Sequence, residues 1–441
     1  MFSRFLKYII PPFTFRVFFR RIFYSNLKKV PLEKPLLFVG NHQNSFLDGI
    51  MVGSYLPQPL HFLMRADMFR NPIARFCLRG LNVAPVYRLE EGLENVHKNL
   101  DTFTDIFNIL KENGNLIVFS EGICVQEKRL QKLRKGTARM AFGAEEKYGI
   151  DVHIVPVGIN YTYPSEFRKE VMISFHESFS IKELTDNYKA SPAKALLAFN
   201  EKVEAGLRKE VIIIEDPEND WLAEHLLIMG RNTYILPLFQ WRSDNDTRRI
   251  MEKTLCDKVN YLSKTSGENL NFLAQKVKIY FEALAKNRLR DENFARKLDY
   301  SFLRYLVIVT GFPVFIAGYL SNLIPFIAPV FICRRFITDP RFYSSLYISS
   351  GTVVYLLYIP VLLVLAGIFF GWTGFLLGLL TPLTGYFVLF YQEIFRERLR
   401  NIRFLLISKQ NPKLIAELTA LRIVITSDLE KVEINFPSEQ H

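Results

Sequence analysis

Cysteine is scarce: four residues in 441, Cys77, Cys124, Cys256 and Cys333, lie far apart with no C-x-x-C pair. That spacing indicates neither a disulfide framework nor a zinc site, and it places the soluble part of the chain in a reducing compartment. No His or Cys cluster has ligand spacing, so no metal is expected. A G-x-S-x-G elbow is also missing, which removes the usual frame of a serine nucleophile. Zinc-finger spacing and an aromatic RNP pattern are absent, so the formal net charge of +12 is not the footprint of a nucleic-acid binder. Acids are missing before Glu33, and Pro11, Pro12 and the arginines deny residues 1–30 the unbroken apolar run of a cleaved signal peptide.

Apolar and aromatic residues, by contrast, are abundant: 49% hydrophobic and 14% aromatic is high for a soluble protein and points to a membrane. Cations lie beside the apolar aromatic stretches, which suits anionic lipid headgroups. Residues 1–30 interleave Arg4, Lys7, Arg16, Arg20, Arg21, Lys28 and Lys29 with seven phenylalanines. They read as an amphipathic membrane-interface segment broken at the Pro-Pro pair, with packing on the protein's own core as the alternative. Two uncharged tracts follow much later, Tyr305 to Cys333 and Phe342 to Gln392. A crossing needs about 20 apolar residues, so the second tract has room for two spans, divided near Gly371. Within the first, Pro313, Gly318, Pro325 and Pro329 suit a kinked span or a re-entrant hairpin. Basic residues flank both tracts: Arg296, Lys297 and Arg304, then Arg334, Arg335 and Arg341, then Arg396, Arg398, Arg400 and Arg403. Every flank is then cytoplasmic, which favours the hairpin and makes 396–441 a cytoplasmic tail.

Between residues 31 and 215, short apolar runs alternate with helical stretches: Leu36 to Val39, His61 to Met64, Asn82 to Tyr87, Leu116 to Phe119, His153 to Ile159 and Val171 to Phe175. This is the pattern of an α/β fold, a mixed sheet flanked by helices, in which the loops after strand ends carry the chemistry. Residues 216–300 are charged and helical in pattern and read as a helical insertion before a membrane domain at 301–395.

The stretch G-N-H-Q-N-S-F-L-D-G, Gly40 to Gly49, follows the first of those runs. Ser45 and Asp48 have the spacing of an N-cap and an acidic third helical residue. His42 is six residues before Asp48, which on one helix would set the side chains about 240° apart, so His42 belongs to the preceding loop. Held there by the carboxylate, its imidazole could take a proton from a hydroxyl near neutral pH. Two more loops stand out. After Gly80 the run L-N-V-A-P-V-Y ends in Arg88, whose planar fork of donors suits a phosphate, with a surface arginine paired to Glu90 or Glu91 as the alternative. The run L-I-V-F-S-E-G-I-C, residues 116 to 124, turns at Glu121-Gly122 and is followed by Lys128, Arg129, Lys132, Arg134, Lys135 and Gly136. Those cations could hold an anion. Pro156, between Val155 and Val157, suggests a strand at an edge or near its end.

Taken in order, these four stretches resemble the signature blocks of the glycerolipid acyltransferases, the superfamily of glycerol-3-phosphate and lysophosphatidic acid acyltransferases. The first block is usually His, four residues, Asp; here the gap is five, as in some glycerol-3-phosphate or dihydroxyacetone-phosphate acyltransferases. In the third, Phe-Pro-Glu-Gly-Thr-Arg, this chain keeps Phe119, Glu121 and Gly122 but has Ser120, Ile123 and Cys124, so Lys128 or Arg129 would stand in for the missing arginine. The resemblance implies that His42 is the general base, that Asp48 fixes the imidazole, and that Arg88, Glu121, Gly122, Lys128, Arg129 and Lys135 hold the acceptor. Acyl-CoA or acyl-ACP would be the co-substrate, with no cofactor and no acyl-enzyme. The partners implied are a lipid bilayer, an acyl thioester donor, an acyl carrier protein where that is the carrier, and a phosphorylated glycerol acceptor. The catalytic domain would lie on the cytoplasmic face of a bacterial inner membrane or the endoplasmic reticulum. Two other classes stand beside this one: a serine-dependent lipid hydrolase or transacylase using Ser45, and a non-catalytic membrane scaffold or transporter.

Overall fold

The computed structural model describes residues 10–72, 75, 78, 80, 82–86, 98–234, 240–296 and 302–433. Arg88 and Cys77 lie outside them. The chain divides into two compact units, the first made of Met1–Ile212, Phe239–Asp246 and Cys333–Ser349 and the second of the remainder.

The first unit is built on a mixed sheet. Its strands are β1 (Arg21–Ser25), β2 (Leu36–Gly40), β3 (Leu60–Arg65), β4 (Val83–Val86), β5 (Asn115–Val118), β6 (His153–Tyr161), β7 (Glu170–Phe175), β8 (Phe179–Ser180) and β9 (Arg242–Ser243). Their order is β4-β3-β5-β2-β6-β7-β1-β9, with β8 paired to β6. β2 is central and runs parallel to both β5 and β6. Every residue of β2 is buried, as a parallel strand covered on both faces requires, and this is why its sequence is an unbroken apolar run rather than an alternating one. Helices among the crossovers include α1 (Ile10–Phe18), α2 (Ser45–Gly53), α3 (Lys98–Lys111), α4 (Gly136–Tyr148) and α5 (Pro192–Glu210). The six strands expected from the apolar runs are all present.

Three expectations are corrected. Residues 1–30 are not one interfacial segment: β1 lies inside the sheet between β7 and β9. Phe15, Phe18, Phe19, Ile22, Phe23 and Tyr24 are each at most 3% exposed. Phenylalanines spaced for a membrane face are equally well spaced for a core, and here the core takes them. Pro156 is in a central strand, opposite Val39 of β2. It is tolerated because β7 pairs with β6 only from Val157 onward and β8 only up to Ile154, so the proline falls where the antiparallel partner changes. Finally, the first unit does not end near residue 215. Residues 240–246 return to it: Ile22 N–H donates to Trp241 O at 2.8 Å, and Asp246 accepts from Ser25 Oγ at 2.7 Å and Asn26 Nδ2 at 3.1 Å.

The second unit is helical: α6 (Asp220–Thr233), α7 (Thr247–Thr265), α8 (Gly267–Lys286), α9 (Phe302–Ser321), α10 (Leu323–Phe336), α11 (Tyr343–Leu379), α12 (Thr381–Gln410) and α13 (Pro412–Glu430). The ends of α10 and the first turns of α11 belong to the first unit. Arg248 and Arg231 converge on the buried carboxylate of Glu252 at 3.0 and 2.7 Å, which ties α6 to α7. Asn322, between α9 and α10, is fully buried. Its amide donates to Gly318 O at 2.8 Å and Thr381 O at 3.1 Å, and its carbonyl accepts from Tyr355 Oη. This satisfies backbone carbonyls beside the break between α9 and α10. Gly371, with φ 61° and ψ −153°, breaks α11 at the position where the sequence divides the second tract. Among the described residues, two segments are long and apolar enough to cross a membrane, Arg304–Ser321 and Pro340–Leu379.

Candidate active site

The site forms past the ends of β2 and β5, beside the last residues of β6. Gly40 is the last β2 residue paired with β6. The next residue, Asn41, continues the pairing with its side chain: Ile159 N–H donates to its Oδ1 at 2.8 Å and its Nδ2 donates to Ile159 O at 2.9 Å. A buried amide bonded twice to one backbone residue fixes where the strand stops and the loop begins.

His42 follows. Its Nδ1 is 2.8 Å from Asp48 Oδ2, although six positions separate them in the chain. Asp48 Oδ2 also accepts from Gln43 N at 2.9 Å and Asn44 N at 2.8 Å, and Oδ1 accepts from Tyr161 Oη at 2.7 Å. The loop is therefore wound around a carboxylate that is itself 0% exposed. An ionised carboxylate only accepts, so Nδ1 carries the proton and Nε2 keeps its lone pair. The imidazole, 19% exposed, stacks on Phe119 at 4.2 Å between centroids and 11° between planes. His42 N–H donates to Glu121 Oε2 at 3.0 Å and its carbonyl accepts from Val125 N at 2.9 Å.

This winding differs from a simple capping box. Asn44, not Ser45, is the N-cap of α2, with no side-chain cap bond. Ser45 sits at φ 47°, a left-handed conformation that costs a non-glycine residue free energy and persists where surroundings over-determine it. Its N–H donates to Cys124 Sγ at 3.1 Å. Burial pushes the Cys124 thiol up to about 12, with the Asp48 charge adding to the effect. It is an inert acceptor in this loop rather than a nucleophile.

Glu121 and Gly122 form the turn after β5. Gly122 has φ +68°, so the backbone favours glycine there; a Cβ on it would lie 2.7 Å from Arg134 Nε, the end of a flexible side chain that can move aside. Glu121 is 3% exposed and holds two backbone N–H groups, His42 through Oε2 and Gln131 through Oε1 at 3.1 Å. Burial raises its carboxyl to about 7 against the effect of those two donors. A carboxyl that is harder to ionise when folded than when unfolded destabilises the fold as pH rises from about 4.5 toward 7. Glu121→Gln is therefore expected to flatten the fall in melting temperature between pH 5 and pH 8 relative to wild type. Parallel curves for the two proteins would show that this carboxyl does not titrate in that range.

The structure brings His42, Asp48, Glu121 and Gly122 together. Lys128 is beside them: Gln43 Nε2 donates to Glu127 O at 2.8 Å, and Lys128 Nζ reaches toward Thr162 O at 3.5 Å, next to the tyrosine that holds Asp48. Arg129 pairs with Glu127 at 2.9 Å. Lys135 is exposed at the residue before α4 and is not brought to the imidazole by any described contact. Sequence reasoning missed Asn41, Tyr161 and the segment from Asp339 to Tyr347. From the last of these, Arg341 Nη1 donates to Cys124 O at 3.0 Å and Ser345 Oγ to Asn44 O at 3.2 Å. Ser344 Oγ donates to Pro164 O, and the Tyr347 ring lies 5.5 Å from those of Phe18 and Phe167. An asparagine after a strand was a readable signal; the others carry none, because they lie more than a hundred residues from the loop they hold.

Residues 21–160 match the acyltransferase family. Over 261 residues the chain is 26% identical to glycerol-3-phosphate O-acyltransferase 1 of Saccharomyces cerevisiae, covering 56% of this chain and 32% of the yeast protein. This chain therefore contains a region similar to the acyltransferases. It spans about a third of the length of that curated relative. Among solved structures it is similar to the lysophosphatidic acid acyltransferase PlsC of Thermotoga maritima, with a TM-score of 0.34 and 18% identity over 45% of this chain and 76% of that one. The match to the acyltransferase family begins at Arg21, the first residue of β1, and ends one residue short of Tyr161. Arg341, Ser344 and Ser345 therefore reach the acyltransferase loops from outside the matched region.

Proposed function

We propose that this protein transfers a fatty acyl group from a thioester, acyl-CoA or acyl-ACP, to a hydroxyl of glycerol-3-phosphate, dihydroxyacetone phosphate or lysophosphatidic acid. The observation that carries this reading is the 2.8 Å contact between His42 Nδ1 and buried Asp48, which directs the basic Nε2 away from the carboxylate at the end of the sheet. The acceptor hydroxyl gives its proton to Nε2 as its oxygen attacks the thioester carbonyl. The tetrahedral intermediate then expels the thiolate, which takes the proton back from the imidazolium. Asp48 stabilises the imidazolium while it exists, and no acyl-enzyme is required.

The acyl donor partitions into or beside a bilayer, so the reading includes an integral membrane protein working at the cytoplasmic face. Support comes from the two apolar segments and from the basic residues at their flanks. The test is radiolabelled acyl donor offered to purified full-length protein with the three acceptors in parallel. Label is expected in at least one acylated phosphate product. Label retained on the protein, or trapping of the protein by a fluorophosphonate probe, would replace this reading with a covalent serine mechanism.

A further inference from the structure

The loop from Cys124 to Lys128 borders the catalytic imidazole on one side: Val125 N–H holds His42 O, and Glu127 O holds the Gln43 amide. A second segment, about two hundred residues later, borders the same loop. Asp339 begins a single 3-10 turn, Pro340–Phe342, by accepting from Arg341 N at 3.0 Å. Pro340 O accepts from Gln126 Nε2 and Ser165 Oγ, each at 3.3 Å. Ser344 and Ser345, both fully buried, anchor the following turn on Pro164 O and Asn44 O. The backbone that carries Arg341 is thus fixed on the site from both sides.

The guanidinium itself is left largely in the open, at 46% side-chain exposure. Nη1 donates to Cys124 O, and Nε and Nη2 donate to Asp339. Three of the five N–H groups of an arginine are used, which leaves two. The pair with Asp339 is bidentate, Nε and Nη2 facing its two carboxylate oxygens, and it faces solvent, where a more highly charged anion can compete for the fork. A phosphomonoester offers the same planar fork more charge and more acceptors than a carboxylate does. A rigid backbone, a solvent-facing fork and an internal anion that holds the fork in place until it is displaced are what a preorganised phosphate ligand requires.

We propose that Arg341 is a ligand for the phosphate of the acceptor, delivered to the site by the 339–345 segment, and that Asp339 occupies its fork until the acceptor arrives. This rests on the acyltransferase reading above. A phosphomonoester acceptor and the phosphodiester of a bilayer headgroup share the chemistry that would recognise this fork, and the proposal commits to the acceptor because the segment is pinned to the loops around His42.

The experiment compares the purified full-length protein with Arg341→Gln, Arg341→Lys and Asp339→Asn. Both arginine variants are expected to raise KM for the phosphorylated acceptor at least tenfold, the glutamine more than the lysine, with the KM for acyl donor and the melting temperature near wild type. Asp339→Asn keeps the backbone cap but removes the competing charge, and is expected to lower the acceptor KM. A purely structural role would move both Michaelis constants or the melting temperature and would give no opposite sign for the aspartate variant; that result overturns the proposal. So does loss of binding to anionic-lipid vesicles by Arg341→Gln with an unchanged acceptor KM, which would assign the fork to the membrane surface. Absence of transfer to any phosphorylated acceptor by the wild type would be seen before any variant is made, and would remove the functional reading rather than the role of Arg341 alone.

Discussion

His42→Ala lowers acyl transfer by about two to four powers of ten, the usual worth of a positioned general base, in a protein that folds as wild type does. The expectation is sharp because of how the site is built. The imidazole is at the surface of the site, stacked on one face of Phe119, so its loss leaves a solvent-accessible gap rather than a buried cavity. The loop keeps its shape without the ring, since Asp48 still accepts from Gln43 N, Asn44 N and Tyr161 Oη, and the residue 42 backbone still bridges Glu121 and Val125. Asp48→Asn would be a poorer test. The buried carboxylate gathers four donors, and an amide there would point N–H toward N–H or leave a donor unpaired, at a cost of about 1–3 kcal/mol per buried group. Turnover of His42→Ala is measured with a thermal-unfolding control. Wild-type turnover by a folded variant would remove His42 as the base.

Deleting residues 2–24 abolishes folding of the catalytic unit and, with it, activity on every donor. The deletion takes most of β1 out of its place between β7 and the edge strand β9 and exposes both along their paired edges. It also removes Phe15, Phe18, Phe19, Ile22, Phe23 and Tyr24 from the core. Each such side chain contributes roughly 1.5–3 kcal/mol by burial, so the set approaches the whole net stability of an ordinary domain, about 5–15 kcal/mol. A surface anchor would behave differently, with transfer from long-chain donors falling and transfer from short, water-soluble donors surviving. Equal loss on both, together with loss of a cooperative thermal transition, is the expected result. Survival of short-chain transfer would mean that the sheet closes without β1.

The sequence by itself determined which segments become strands and which loop carries the chemistry. Runs such as Leu36 to Val39 and Val171 to Phe175 are short, apolar and bounded by turn residues, and local pattern settles such segments whatever surrounds them. The turn at Gly122 was readable for the same reason, since only glycine adopts its φ freely. So was the break at Gly371. The destination of an amphipathic surface was not readable. Phe15, Phe18 and Phe19 are as suited to lipid as to a core, and only the pairing of β1 with β7, about 150 residues away in the chain, decided between them. The groups that hold the base in place share this character: Tyr161 on Asp48 is 113 residues distant, and Ser345 on Asn44 is 301. A hydrogen bond across such separations leaves no periodicity or spacing in the sequence, because its geometry exists only once the strands between its partners have packed.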